Sequence, residues 1–158
     1  MIRWRAYEAG DRATVVGMMR RLYIDDPSDH VVTDEQIGRT ITTLTAEPVR
    51  GRIVVAAEAE PEGGLARPPV GYAVLCGFWS NELGGEVCIV DELYVAPPAR
   101  GAGLASSLLT ELVARRAPWF RAAVAFELEV TPTNTRARAL YTRLGFRPTK
   151  NARLRCRP

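Results

Sequence analysis

Lysine is nearly missing from this chain: Lys150 stands alone against twenty arginines, and His30 is the one histidine. A single imidazole cannot support a multi-histidine metal site. Cysteine is sparse as well. Cys76, Cys88 and Cys156 show neither metal-ligand spacing nor an even-numbered framework, which excludes a zinc knuckle and a disulfide scaffold. No stretch reaches the roughly 18 consecutive apolar residues of a membrane span. The opening MIRWRAYEAGDR contains no apolar core of signal-peptide length. The expectation is a reduced, cytoplasmic protein with no metal and no membrane partner.

What is there suits a globular domain. With 158 residues, 47% hydrophobic and 25% charged, the chain is expected to form one domain over 1–158 with a proper core. The formal charge of +3 is uneven, because residues 121–158 carry nine Lys/Arg against two Glu and leave the remainder at −4. A basic C-terminal third can face the phosphates of a ligand or of nucleic acid, or be a solvated arginine surface. No aromatic platform accompanies these arginines, so a nucleic-acid partner is not expected.

Periodicity predicts the elements. Residues 2–7 alternate as a half-buried strand, and Val15, Met18, Met19 and Leu22 place a helix over 12–24. A polar turn follows at 25–30, and Thr33 with Gln36 suggests a capping box for a helix through about 45. Strands are read at 52–59 and 70–79 around a Gly/Pro-rich hairpin loop at 60–69. A long strand at 87–95 runs to Ala96-Pro97-Pro98-Ala99, which cannot continue its ladder. A leucine-rich helix from about 102 to 116 follows, then a strand at 123–130. After a second helix carrying Tyr141, residues 146–148 and 151–156 can pair as a terminal hairpin.

The most informative junction is Arg100-Gly101-Ala102-Gly103-Leu104-Ala105, between the long strand and the leucine-rich helix. Glycines let backbone approach a ligand, and the first N–H groups of a helix have no intrahelical partner, so such a junction can cradle a pyrophosphate. A dinucleotide fingerprint fits worse, since Ser106 stands where its third glycine or alanine belongs. A Walker loop is excluded because Gly-Lys-Ser/Thr is absent. The second constellation is ELEVTPTNTRARALYTRLGFR at 127–147. There Thr131 or Thr133 can cap a helix, Ala137, Leu140, Tyr141 and Leu144 form one apolar face, and Gly145 ends it as a C′ glycine.

Both stretches resemble the GNAT superfamily of N-acetyltransferases. Arg100, Gly103 and Ala105 fill the three fixed places of its Arg/Gln-x-x-Gly-x-Gly/Ala motif, and Asn134, Ala137, Tyr141, Gly145 and Phe146 match a later one. The element order βααβββαβαβ(β) is similar to that fold throughout. The resemblance implies an α+β, three-layer protein with a mixed, mostly antiparallel sheet of six to seven strands flanked by helices.

What the resemblance implies for function is acetyl transfer from acetyl-CoA to a primary amine of a small molecule or peptide, by direct attack in a ternary complex. The coenzyme would lie along Leu93, Tyr94 and Val95, with its pyrophosphate on Gly101, Ala102, Gly103, Leu104, Ala105 and Ser106 beside Arg100. Asn134 would lie nearby, and Tyr141 would protonate the departing thiolate. Asp91 and Glu92 would be the candidates for the base; alternation puts them on opposite faces unless a bulge intervenes. Structural readings stand beside these: a core aromatic for Tyr141, a helix cap for Asn134, a structural ion pair or hydrogen bond for Asp91 and Glu92. Asp25, Asp26 and Asp29 can attract a cationic amine or serve as turn residues. A homodimer joined through the terminal residues is expected, since an edge needs cover. A coenzyme-binding sensor without turnover, or a nucleic-acid-binding module, are the other classes.

Overall fold

The computed structural model describes residues 1–58, 67–151 and 154–156. Strands β1 (Ile2–Ala6), β2 (Gly51–Glu58), β3 (Gly71–Ser80), β4 (Gly85–Val95) and β5 (Ala125–Leu128) form one sheet in that order. Helices α1 (Arg12–Asp25) and α2 (Asp34–Ala46) lie between β1 and β2; α3 (Leu104–Val113) joins β4 to β5, and α4 (Thr135–Arg143) follows β5. All pairings are antiparallel except β4 with β5, which is parallel. The expected order βααβββαβα is therefore observed.

The sheet is smaller than expected. Five strands are present among the described residues instead of six to seven, because residues 146–151 and 154–156 form no strand. Arg147 and Pro148 interrupt any apolar alternation there, and the arginine-rich segment offers little to bury. The other arm of the predicted terminal hairpin lies partly outside the described residues, as does most of the predicted loop at 60–69.

Two cores sandwich the sheet. On one face Val15, Met18, Met19, Ile37 and Ile41 of α1 and α2 pack on Ile53, Val55, Tyr72, Val74 and Tyr94. On the other, Leu108, Leu109 and Leu112 of α3 pack on Val54, Ala73, Leu75, Cys88 and Val90. Leu140 and Tyr141 of α4, with Leu144 at its C-terminal cap, rest against that second core. The near-continuous apolar run of β2 follows from burial on both faces. Gly145, at φ +96°, closes α4: its N–H donates to Thr142 O and that of Phe146 to Tyr141 O, the paired bonds of a Schellman motif. No helix among the described residues is long and apolar enough to cross a membrane.

Candidate active site

β4 and β5 pair only from Val87/Ala125 to Val90/Leu128, and β4 then runs on to Val95 paired with β3 alone. The parting opens a cleft of about 1760 Å3. Ala96 N–H bonds back to Val70 on the β3 side. Alternation along the strand therefore turns the backbone groups of Leu93 and Val95 towards the open edge. Tyr94 differs from them: its backbone pairs with Tyr72 of β3, and its ring is buried.

At the mouth of the cleft the chain makes a 3-10 turn at Pro97–Ala99 and enters α3 through Gly101 and Gly103, at φ +88° and +77°. The helix starts at Leu104, two residues later than its apolar pattern suggests, because Gly103 takes the left-handed conformation at the N-cap. No side chain caps α3, whereas Thr33 caps α2 and Asn134 caps α4. Nothing lies within 4 Å of where a Cβ at Gly101 or Gly103 would stand. Three of the orphan N–H groups, those of Leu104, Ala105 and Ser106, thus sit beside open space at the positive end of a helix dipole. Leu104 itself is buried, and its carbonyl accepts from Trp4 Nε1 at 3.0 Å. Ala102 is exposed and does not line the cleft.

Arg100 folds back over this entrance. Its Nε donates to Val95 O at 2.8 Å, its Nη2 to Asp25 Oδ2 at 2.9 Å, and its guanidinium lies 5.4 Å from the Tyr94 ring centre. Asp26, next along, accepts from Thr131 Oγ1 at 2.9 Å and Asn134 Nδ2 at 3.0 Å. The end of α1 therefore reaches both lips of the cleft. Asn134 also caps α4, its Oδ1 accepting from Ala137 N–H at 3.1 Å. Asp29 is exposed on the same wall.

A bulge resolves the relation of Asp91 to Glu92. Val74 of β3 faces Glu92 while Leu75 faces Val90, so Asp91 is an extra residue on β4. Simple alternation, which put the two carboxylates on opposite faces, fails here for that reason. Glu92 is moved to the α1 side, and both carboxylates act electrostatically on Tyr23 and Cys76. Asp91 remains exposed. Glu92 is recessed: its Oε2 accepts from Tyr72 Oη at 2.9 Å and its Oε1 from Tyr23 Oη. Burial raises its proton affinity above that of an ordinary glutamate, against the lowering effect of the two phenols, with Asp91 raising it further.

Tyr141 lies across the cleft on α4, half-buried and edge-on to Phe146, with 6.1 Å between ring centres. Burial, and then the charge of Asp26, raise its pKa, so it stays a protonated donor at neutral pH. The described residues offer its hydroxyl no hydrogen bond.

Of the residues the sequence singled out, the fold brings together Asp91, Glu92, Leu93, Tyr94, Val95, Arg100, Gly101, Gly103, Leu104, Ala105, Ser106, Asn134 and Tyr141 along one cleft. Sequence reasoning missed Tyr23 and Tyr72 as partners of Glu92. They lie 69 and 20 residues from it, and no local pattern couples such positions.

The architecture has close counterparts. An integron cassette protein from the mobile metagenome of Cole Harbour Salt Marsh is 26% identical with a TM-score of 0.74, over 98% of this chain and 89% of that one. A possible acetyltransferase from Clostridium difficile 630 is 16% identical with a TM-score of 0.77, over 100% and 98% of the two chains. A predicted acetyltransferase from Clostridium acetobutylicum, solved with acetyl-CoA, is 20% identical with a TM-score of 0.74, over 98% and 96%. No curated protein sequence matches the chain. The model of the acetyltransferase (GNAT) family matches residues 16–146. That span holds the parted strands, the glycine loop and the Tyr141 helix together, and the chain belongs to this family.

Proposed function

We propose that the protein transfers the acetyl group of acetyl-CoA to a primary amine of a small molecule or peptide. The observation that carries this reading is the uncapped start of α3 at the open edge of β4, with Glu92 and Tyr141 on the same cleft. The residues present fit the coenzyme. Left-handed Gly101 and Gly103 leave space where Cβ atoms would stand, and the N–H groups up to Ser106 suit a pyrophosphate. The Leu93 backbone and the Val95 N–H, on the open edge of β4, suit an extended amide-bearing arm laid along the strand in place of β5, whereas the Val95 carbonyl is held by Arg100. Acetyl-CoA, when bound, supplies an activated thioester.

This chain's own residues then handle protons. The attacking amine must lose one, and the Glu92 carboxylate, directly or through a water, accepts it. Its proton affinity, raised above that of an ordinary glutamate, makes it the stronger proton acceptor, so Glu92 is the proposed base and exposed Asp91 is not. The departing thiolate needs a proton, and the Tyr141 hydroxyl is the donor. Asn134 shapes the cleft by tying α4 to Asp26. The reading extends to a cytoplasmic homodimer; the terminal residues expected to join it form no strand among the described residues, which leaves β5 as the edge at that end of the sheet. The support for a dimer is that β5 has no outer partner among the described residues, and light scattering showing only monomer would reject it.

The test of the main reading is coenzyme A release, followed as free thiol. Acetyl-CoA is offered with a panel of amino acids, polyamines, aminoglycosides and peptide N-termini. Amine-dependent thiol release with a matching acetylated product supports it. Tight acetyl-CoA binding with no amine-dependent release across the panel would point to a coenzyme sensor.

A further inference from the structure

Glu92 is gripped from two directions. Tyr72 is wholly buried in β3 and takes one carboxylate oxygen from the core side. Tyr23, in the last turn of α1, takes the other from the cleft wall. With one phenol on each oxygen, a further lone-pair direction on each remains for a substrate N–H or a water. We infer that Tyr23 is a positioning residue of the acyl-transfer site: its hydroxyl holds the Glu92 carboxylate in the orientation that presents those remaining directions to the cleft. The inference rests on the reading of Glu92 as the proton acceptor.

The geometry favours this over a packing role for Tyr23. Tyr23 is half-buried on the cleft wall, and its hydroxyl reaches across from α1 to the Glu92 carboxylate on β4. Glu92 needs donors. Among the described residues the groups that act on it are Tyr23 from α1, Tyr72 from β3 and Asp91 on its own strand, which is negative. Cys76 of β3 also faces the pair, but burial and then Asp91 and Glu92 push its thiol up to about 11, so it stays neutral. Burial and the bond to Glu92 raise both phenols, which keeps them donors. Two residues beyond Tyr23, Asp25 binds Arg100. The last turn of α1 thus contacts both the carboxylate and the guanidinium.

The experiment uses the full chain with side-chain 13C-labelled glutamate. The Glu92 carboxyl signal is identified by its loss in Glu92→Gln, and its pH titration is compared between the wild type and Tyr23→Phe. Removing a hydrogen bond to the charged form is expected to move the titration upward by about one pH unit. The acid limb of turnover, measured with the most active amine of the panel, should move with it while the KM for acetyl-CoA stays put. An unshifted carboxyl titration in folded Tyr23→Phe overturns the inference. If that variant does not fold, Tyr23→Met, which keeps apolar bulk and also lacks the hydroxyl, is read in the same way. Failure of the underlying reading looks different: Glu92→Gln would keep wild-type turnover whatever Tyr23 does.

Discussion

Arg100 donates to Asp25 at 2.9 Å, so the guanidinium at the entrance of the cleft already holds an anion belonging to the protein itself. Asp25 is shared with Arg21 at 3.0 Å. The Arg100 bond, and then the two guanidinium charges, hold its carboxyl below the usual range. An incoming pyrophosphate would have to share or displace this contact. Asp25→Asn should therefore bind acetyl-CoA tighter, by about twofold to fivefold given the modest strength of exposed ion pairs. Isothermal titration at low and moderate salt would show the gain; weaker binding would mean that Asp25 positions Arg100 instead.

Gly103 should separate binding from stability. Valine there meets no atom but must adopt φ +77°, which costs about 1–2 kcal/mol in a left-handed conformation. Gly84 has φ +64° and equally open space, away from the cleft. Both valine variants should lose similar melting temperature, and only Gly103→Val should lose acetyl-CoA affinity, by at least about tenfold. Equal affinities in the two variants would remove the α3 entrance from the binding site.

Tyr141→Phe keeps the ring that packs on Phe146 and deletes only the hydroxyl. Affinity for acetyl-CoA should persist while turnover falls by about a hundredfold to ten-thousandfold, the usual loss of a general acid. Wild-type turnover, measured where chemistry limits the rate, would leave Tyr141 as a core aromatic.

Glu92 carries a pH signature of its own. With Glu92 as the proposed base, turnover should fall as pH drops through a value above that of an ordinary glutamate. The sign for stability is opposite. A folded-state pKa above the unfolded one favours the folded protein at low pH, and that advantage is lost as pH rises through the folded value. Glu92→Gln should thus be nearly inactive, and should gain melting temperature relative to the wild type more at pH 8 than at pH 4. Calorimetry at the two pH values checks this.

Asp11 titrates the other way. It is 5% exposed, and burial, which favours its neutral form, is overcome by Arg5 at 2.8 Å through both guanidinium nitrogens and by Glu8 N–H at 2.9 Å. Its lowered pKa stabilises the fold above the unfolded value, and that stabilisation is lost as pH falls through the folded one. Asp11→Asn should cost about 2 kcal/mol at pH 7, measured by urea unfolding, since it weakens hydrogen bonds to a charged group.

Local chemistry settled much of this protein. Helical spacing of Val15, Met18 and Met19, the Thr33/Gln36 capping box, the prolines after Val95 and the C′ glycine at 145 each act within a few residues, so the chain alone determined where most elements begin and end. The bend at RGAGLA was legible for the same reason, because glycines between a strand and a helix favour the left-handed turn that opens α3. The terminal hairpin was not: alternation of a few residues says nothing about whether a partner strand exists to bury them. Glu92 shows where local reasoning stops. Its side of the sheet depends on an extra residue accommodated against Val74 and Leu75 of another strand, and its proton affinity on phenols from α1 and β3. Register and desolvation are properties of packed elements, and only the tertiary structure decided them.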